Sequence, residues 1–382
     1  MRCTSETVSA ALREIESRRH FRHRDPSADG RINFCSNDYL GLARDERIAS
    51  AMGEAARLLG AGAGASHLVS GYTAEHQALE RELAEFTNRE RALVFSTGYM
   101  ANLGVMSALA DRRDVLIADE LNHASLIDAA RLVRSSSNLR YPHGNAATAA
   151  ALLDAHAPSA AATGAGAFVV TDGVFSMDGD LAPLPALAAA AVNHQAWLVL
   201  DDAHGLGVVG ATGRGCCEVF DLGARDVPIL IGTFGKAFGS FGAFVAGDSD
   251  IIELLIQRAR TYIYTTALPP AVSAATRMAL EIVKEENWRR EHLHFLIAHY
   301  REKAKARGLP ITGSSTPIQP LVLGSEETAL SASQKLSAAG FRVTAIRPPT
   351  VPVGTARLRI TLSAAHSPSQ VDGLLDALES SI

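Results

Sequence analysis

The sequence contains only four cysteines, and their positions do not follow the spacing of a metal-binding site. These are Cys3, Cys35, Cys216 and Cys217. The last two are adjacent in the chain, and neighbouring cysteines rarely bond each other. We therefore expect reduced thiols, assign no chemistry to them, and expect neither a disulfide framework nor a bound metal.

Long apolar runs and an excess of basic charge are also missing. No stretch reaches the roughly 18 apolar residues that a membrane span requires. Residues 1–24 contain no apolar segment like that of a secretory signal. The net charge is −5, which disfavours nucleic acid as a partner. We expect a cytoplasmic globular protein with no membrane and no nucleic-acid partner.

From residue 91 onward, short apolar runs alternate with turn residues and helical patterns. The runs lie at 92–95, 115–118, 167–171, 197–201, 229–232 and 243–246. This alternation favours an α/β fold with a mostly parallel sheet that helices cover on both faces. Binding sites in such sheets lie at the carboxyl ends of the strands.

A chain of 382 residues exceeds the size at which a single core stops growing, about 250 to 300 residues, so we expect more than one domain. An N-terminal segment, 1–45, carries a short amphipathic helix and a short strand. A large domain follows at 46–275, and a smaller C-terminal α/β domain occupies 276–382. The strands expected in the C-terminal domain lie at 318–323, 341–346 and 357–362.

Two residues with complementary chemistry follow strand ends. Lys236 comes directly after a glycine, just past the apolar run 229–231, where its amine can attack a carbonyl carbon to form a Schiff base. Asp201 closes the run 197–200. Its carboxylate could keep the ring nitrogen of a bound pyridoxal phosphate protonated. The alternative is a solvated loop lysine and a helix-capping aspartate.

Other candidates lie in loops that follow strands. His204 could reach the phenolic oxygen of such a cofactor. The loop at 96–99 precedes a helix, so its backbone N–H groups could bind an anion. His123 is either a structural histidine or a residue that stacks on a cofactor ring, and Ser176 could donate to the cofactor.

A further set could bind the carboxylate of a substrate. Asn37 follows a short strand and carries an amide suited to that group. The basic cluster 18–24 is either a solvated surface or a site for a carboxylate or phosphate. Arg357 and Arg359 lie two apart on one predicted strand and face the same side. They form either a surface pair or a pair in which one arginine clamps a carboxylate.

Five motifs, in order along nearly the whole chain, resemble those of the α-oxoamine synthases, which are fold-type I pyridoxal-phosphate enzymes. They lie at 37–42, 69–72, 175–179, 201–205 and 233–236. The resemblance implies an aspartate aminotransferase-like fold with a seven-stranded sheet in the large domain. It also implies pyridoxal 5'-phosphate as cofactor and a homodimer with the active site at the subunit interface.

The resemblance implies roles for individual residues around the cofactor. Lys236 would form the Schiff base, Asp201 would pair with the ring nitrogen, His123 would stack on the ring, and His204 would contact the phenolic oxygen. Ser176 would lie close to the cofactor.

The phosphate and substrate contacts are implied in the same way. The amides of Gly98 and Tyr99 and the hydroxyl of Thr233 would hold the cofactor phosphate, and Thr266 would reach the phosphate of the neighbouring subunit. Asn37 and Arg359 match the positions that hold the carboxylate of the amino-acid substrate. Arg22 and Thr350 match positions associated with the acyl substrate.

Within this family, residues 347–352 and 354–359 are similar to the biotin-pathway branch. The implied reaction is a decarboxylative condensation of L-alanine with a pimeloyl thioester, carried on coenzyme A or on acyl carrier protein. The main alternative is a 2-amino-3-ketobutyrate ligase or 5-aminolevulinate synthase type of reaction, with glycine and another acyl-CoA. Simple aminotransfer and a non-catalytic protein are more distant alternatives.

Overall fold

The computed structural model describes residues 4–17, 21, 30–133, 135, 137–162 and 164–382. Backbone contacts divide the chain into two compact units. The large unit contains Asn37–Leu293 and Ser363–Ala365. The small unit contains the described residues up to Ser36, together with His294–Leu362 and His366–Ile382.

Fourteen α-helices are present in the described residues, with a π-helical turn at His67–Gly71 between the second and third helices. They are α1 (Ser5–Ser17), α2 (Glu46–Leu59), α3 (Ala74–Thr87), α4 (Gly98–Leu109), α5 (Ala124–Val133), α6 (Ala146–Ala162), α7 (Leu184–Asn193), α8 (Cys216–Val219), α9 (Ser249–Arg258), α10 (Arg260–Ile263), α11 (Pro270–Glu285), α12 (Asn287–Ala306), α13 (Glu326–Ala338) and α14 (Pro368–Glu379).

The same residues form twelve strands in three sheets. They are β1 (Ile32–Asn33), β2 (Arg91–Phe95), β3 (Val115–Asp119), β4 (Ser137–Tyr141), β5 (Ala167–Asp172), β6 (Trp197–Asp201), β7 (Ile229–Thr233), β8 (Ala243–Gly247), β9 (Ile318–Gly324), β10 (Phe341–Arg342), β11 (Thr344–Ile346) and β12 (Ala356–Thr361).

A seven-stranded sheet forms the centre of the large unit, in the order β2-β8-β7-β6-β5-β3-β4. β8 runs antiparallel to both of its neighbours, and the other pairs are parallel. Every residue of β3, β5 and β8 is buried, because helices pack on both faces of the sheet. The predicted mostly parallel seven-stranded sheet is confirmed.

Helix α4 lies against the sheet and also packs on α5, α9 and α10. Its residues Ala101 and Val105 belong to the same buried apolar cluster as Val199 and Ile231 of the sheet. The helix approaches its neighbours closely at Gly104, where a Cβ atom would lie 2.6 Å from Thr261 Oγ1. This packing fixes the amino end of α4 at the carboxyl edge of the sheet.

The small unit contains the other two sheets. β11, β12 and β9 form an antiparallel sheet, and β1 pairs in parallel with β10. The predicted strand 341–346 is therefore divided: Phe341–Arg342 pairs with β1 and Thr344–Ile346 pairs with β12. Buried Val343 lies between the two halves.

The two units separate along helix α12, between Leu293 and His294. The boundary predicted near residue 275 falls within α11, which packs along α2 and α3 of the large unit. At the other end of the chain, the small unit includes the described residues before Asn37, whereas the prediction treats 1–45 as a separate segment.

In the part of the chain described, no helix combines the length and the apolar character needed to cross a bilayer. Cys35, Cys216 and Cys217 are free thiols. The Cys216 thiol lies beside the Asp202 carboxylate, and burial raises its pKa well above the usual range.

Candidate active site

Polar side chains gather where the parallel strands of the large sheet end. Asp119, Asp172 and Asp201 are the last residues of β3, β5 and β6, and Thr233 is the last residue of β7. Parallel strands present their carboxyl ends at one edge of a sheet, so the segments that follow them leave from the same edge. Those segments carry His123, Ser176, His204 and Lys236.

Asp201 provides a buried carboxylate at this edge, with only 5% of its surface exposed. Its Oδ1 accepts a hydrogen bond from the backbone N–H of Ala203 at 3.0 Å, and its Oδ2 accepts one from Asn102 Nδ2 at 2.7 Å. Asp172 lies beside Asp201 in register on the neighbouring strand. Burial, reinforced by the Asp201 charge, raises the pKa of Asp172 well above its usual range.

Lys236 lies on the loop after β7 and is half-buried. The loop turns back through a hydrogen bond from Gly239 N to Lys236 O at 2.9 Å. Gly239 has φ +60, and a Cβ atom there would lie 2.3 Å from Ala43 N, so the turn is pressed against the segment after Leu42. The Lys236 ammonium lowers the pKa of nearby His123, which places the amine in the same electrostatic environment as the imidazole.

His123 follows β3 and is anchored through its backbone, whose N–H donates to the Asp172 carboxylate at 2.6 Å. Part of its ring reaches solvent, yet the surrounding protein removes enough water to lower the pKa of His123. The Asp201 carboxylate opposes this effect, and the Lys236 ammonium reinforces it. The neutral imidazole is therefore the favoured form near pH 7.

His204 is buried on the segment after β6, with 6% of its surface exposed. Its Nδ1 lies 2.7 Å from the hydroxyl of Tyr39, which is completely buried. The same hydroxyl lies 3.2 Å from Asn37 Oδ1. One tyrosine therefore links a predicted cofactor residue to a predicted substrate residue.

The sequence predicts an anion site in the loop between β2 and α4. Thr97 caps α4 by accepting from Met100 N at 3.1 Å, so the earlier N–H groups of Gly98 and Tyr99 have no partner within the helix. A Cβ atom at Gly98 would meet nothing within 4 Å, so the backbone there is open to a ligand. The Thr233 hydroxyl donates to Gly242 O at 2.9 Å.

Ser176 lies on the loop after β5. His143 braces this loop, because it bonds both to Asp180 on the loop and to Asp119 at the end of β3. The imidazole lies 3.1 Å from an Asp119 oxygen and 2.9 Å from an Asp180 oxygen. It also meets the Phe175 ring edge-on, with the centroids 4.3 Å apart. The two carboxylates raise the pKa of His143 to about 10, so the ring is a cation at neutral pH.

We expect His143→Gln to lower the free energy of unfolding by about 2 kcal/mol near pH 6, since two charge-assisted hydrogen bonds are lost. A histidine whose pKa is raised on folding stabilises the fold fully below its unfolded pKa, about 6.5. That stabilisation disappears as the pH rises through the folded pKa of about 10. Urea unfolding across this pH range should therefore show the wild type and the variant converging.

His156→Gln on α6 is the control for this comparison, because it removes an imidazole other than the one that bonds to Asp119 and Asp180. Its difference from the wild type should not follow the same pH course. A constant gap between wild type and His143→Gln from neutral pH through pH about 10 would show that His143 is not held as a cation.

The remaining predicted residues lie elsewhere. Thr266 is exposed in the large unit, opposite Ser66 in an isolated antiparallel bridge. Arg359 is buried on β12 of the small unit, and Thr350 is exposed on the turn that its N–H makes with Arg347 O. Arg22 lies outside the described residues.

Four residues at the edge carry contacts that motif reasoning did not anticipate: Tyr39, Asn102, Ser125 and His143. Tyr39 lies within a recognised motif but was not singled out. Asn102 lies within the helical pattern after residue 100, which by itself does not indicate a role for it. It is a polar residue with 1% exposure among apolar neighbours. A buried polar residue within an apolar helix was the available signal.

The comparisons with known proteins agree with this architecture. The family described as aminotransferase class I and II matches residues 29–378 of the chain. The chain therefore belongs to the class I and II aminotransferase family.

Individual proteins that are similar to this chain indicate which members of the family it resembles. The 8-amino-7-oxononanoate synthase of Methylococcus capsulatus is 56% identical over 386 residues, covering 98% of each chain. The crystal structure of 8-amino-7-oxononanoate synthase from Francisella tularensis is 32% identical, with a TM-score of 0.79 over 92% of this chain and 98% of that one. A serine palmitoyltransferase variant from S. paucimobilis, with a bound PLP-myriocin aldimine, is 29% identical, with a TM-score of 0.89 over 98% and 96%.

Proposed function

We propose that the protein condenses L-alanine with a pimeloyl thioester, releasing 8-amino-7-oxononanoate, carbon dioxide and the free thiol carrier. The observation that carries this proposal is the full-length identity of 56% to a protein named 8-amino-7-oxononanoate synthase. The reaction belongs to biotin biosynthesis and takes place in the cytoplasm.

The residues at the sheet edge fit pyridoxal 5'-phosphate as the cofactor. A buried carboxylate at Asp201, a lysine amine nearby and open helix N–H groups at Gly98 and Tyr99 are the partners that a pyridine nitrogen, an aldehyde and a phosphate require. When bound, this cofactor supplies an electron sink for the carbanion formed at the amino-acid Cα.

Each of these side chains would bind a different part of the cofactor. Lys236 Nζ would bond to the aldehyde carbon, and Asp201 would keep the proton on the ring nitrogen. His204 would approach the phenolic oxygen, and its Nδ1 contact with Tyr39 orients its ring. His123 would lie against the ring face, and Ser176 would contact the cofactor from the loop that His143 braces.

The phosphate would lie at the amino end of α4. The amides of Gly98 and Tyr99 would donate to it. The Thr233 hydroxyl bonds to Gly242 O in the structure, so it would have to rotate to take part.

Lys236 is also the group that would move the substrate proton. Once its amine is released, Nζ would take the Cα proton of L-alanine and later return a proton to the product. A lysine can act as this base when neighbouring groups keep part of it neutral. Asn37 and Arg359 would hold the alanine carboxylate. Arg22 and Thr350 would contact the acyl substrate.

A homodimer would complete the site. Tyr264 and Val69 flank the exposed Thr266 and the segment it pairs with, and they leave 71% and 79% of their surfaces exposed. Leu68, next to Val69, is also exposed, and apolar side chains exposed together as a patch mark protein interfaces. Thr266 would reach the cofactor phosphate of the neighbouring subunit from this surface.

The experiment is to incubate the purified protein and the cofactor with L-alanine and either pimeloyl-CoA or pimeloyl-acyl carrier protein. We expect 8-amino-7-oxononanoate and carbon dioxide in equal amounts, with little product when glycine replaces alanine. Faster turnover of glycine with a shorter acyl-CoA would favour the sister reaction instead. Keto-acid formation without carbon dioxide would indicate aminotransfer.

A further inference from the structure

Two buried polar side chains lie between Asp201 and His123. Asn102 is on α4 and Ser125 is on α5, two helices that pack against each other. Their exposed fractions are 1% and 0%. Because buried polar groups are normally hydrogen-bonded, the partners of these two side chains define their role.

The donors and acceptors can be assigned from chemistry. Asn102 Nδ2 lies 2.7 Å from Asp201 Oδ2 and 2.7 Å from Ser125 Oγ. An ionised carboxylate only accepts hydrogen bonds, so the amide nitrogen and not the amide oxygen must face Asp201. The second N–H of the amide then points at Ser125 Oγ, which accepts it.

The Ser125 hydroxyl hydrogen is consequently left for His123. Ser125 Oγ lies 2.7 Å from His123 Nδ1, and the backbone N–H of Ser125 points at the same nitrogen at 3.3 Å. Two donors directed at Nδ1 require it to be an acceptor. The ring proton of the neutral imidazole is therefore on Nε2.

This orientation of the Asn102 amide has a free-energy cost. Asn102 Oδ1 is buried and has no hydrogen-bond partner within the described residues. A buried carbonyl oxygen without a partner is destabilising, so packing alone does not account for an amide held this way. The contacts of its nitrogen with Asp201 and Ser125 account for it.

We propose that Asn102 and Ser125 are positioning residues that hold the His123 ring in one orientation as the Nε2-protonated tautomer and connect it to the Asp201 carboxylate. The catalytic consequence rests on the proposed function, in which His123 lies against the cofactor ring. The tautomer itself does not depend on that function, because it follows from the contacts of the protein chain.

The charged groups around His123 set the expected direction of its titration. Asp201 on β6 raises the pKa of His123, whereas partial burial and Lys236 after β7 lower it. Asp172 on β5 accepts the backbone N–H of His123. Only an unprotonated Nδ1 can accept from Ser125, so this bond also lowers the pKa of His123.

The test uses the cofactor-free, full-length protein with nitrogen-15 histidine, in which His123 is assigned by comparison with His123→Gln. We expect the nitrogen shifts of the wild type to show a bare Nδ1 and a protonated Nε2. In Ser125→Ala the pKa of His123 should rise by about one unit, the value of one hydrogen bond, with a mixture of tautomers. Ser125→Thr keeps the hydroxyl and should restore the wild-type spectrum.

Ser107→Ala is the matched control. This serine is on α4 like Asn102, but its hydroxyl donates to Gly104 O. It should leave the His123 signals unchanged. A wild-type spectrum with protonated Nδ1, or a Ser125→Ala spectrum identical to the wild type, would overturn the proposal. The wild-type measurement decides even if Ser125→Ala fails to fold.

The proposed function and the positioning role can be tested independently of each other. If the wild type fails to convert L-alanine and pimeloyl-CoA but shows the bare Nδ1, the proposed function is wrong and the positioning role stands. If the wild type is active but Nδ1 is protonated, the positioning role is wrong and the function stands.

Discussion

Lys236→Ala is expected to lower turnover of L-alanine and the pimeloyl thioester by at least 10²–10⁴-fold, roughly the contribution of a positioned acid–base group. The loss should be larger than this range, because in its proposed role the same amine also bonds to the cofactor. Apart from Lys236, the chemistry-bearing side chains described at this edge are aspartate, histidine, serine, threonine, tyrosine and asparagine, and none of these supplies a replacement amine. Steady-state kinetics measure the loss of turnover. Borohydride reduction of the cofactor-loaded protein, followed by peptide mass analysis, shows whether residue 236 is bonded to the cofactor.

The control for this variant is Lys284→Ala, which removes an exposed lysine of α11. It should keep both turnover and the borohydride-stable label on residue 236. A Lys236→Ala protein that still turns over at the wild-type rate, or a label found on another lysine of the wild type, would contradict the assigned role.

The stability of the cofactor-free protein gives Lys236→Ala a second expected result. Burial raises the pKa values of Asp172 and Asp202, and the Lys236 ammonium partly opposes this rise. Removing the cation takes a favourable charge away from these carboxylates, so the variant should melt at a lower temperature than the wild type.

The central sheet could be predicted because its strands are buried on both faces and therefore appear as unbroken apolar runs. β4 (Ser137–Tyr141) did not stand out in this way. It is one of the two edge strands of the sheet, and its exposed Asn138 and Arg140 alternate with more buried neighbours. β2, at the opposite edge, has four buried residues and appears as an apolar run, so it is the partial exposure of β4 that weakens its sequence pattern.

The predicted site follows the same physical logic. The location of Asp201, Thr233 and Lys236 at this edge could be predicted because each ends or follows a strand-forming run, and strand ends determine where side chains meet in a parallel sheet. The partner of His204 was not predictable, because Tyr39 is 165 positions away and the contact depends on tertiary packing.

The division between the units shows another limit of local patterns. The chain breaks between α11 and α12 at Glu286, but the two units separate further on, within α12. The packing of α11 on α2 assigns it to the large unit, and this contact joins residues that are more than 200 positions apart. Composition changes along the chain do not reveal such a contact.

Asp201→Asn is expected to have a large effect of a different kind. Turnover should fall on the order of 10²–10³-fold, the loss seen when one preorganised charge partner is removed from a reacting centre. In its proposed role the Asp201 carboxylate keeps a proton on the cofactor ring nitrogen, and the variant amide cannot do this. Asn keeps the size of Asp and the hydrogen bond from Ala203 N, so the fold should be retained.

The cofactor-free variant should nevertheless be more stable than the wild type. Three acids lie close together in this part of the large unit. Burial raises the pKa of Asp172 well above its usual range and that of Asp202 to about 7, and the Asp201 charge adds to both shifts. Removing that charge relieves a repulsion, so calorimetry should show a higher melting temperature together with the loss of turnover.

The same substitution should disturb His123, because it reverses the hydrogen bonding of Asn102. An amide at position 201 presents N–H groups where the carboxylate accepted, so the Asn102 side chain would turn to offer Oδ1, which has no partner in the described wild-type structure. Ser125 would then donate to that oxygen instead of to His123 Nδ1. Asp248→Asn, which changes an exposed carboxylate before α9, should alter neither turnover nor the His123 nitrogen shifts. A stabilised, inactive Asp201→Asn protein whose His123 signals match the wild type would keep the role of Asp201 in catalysis but remove its connection to His123.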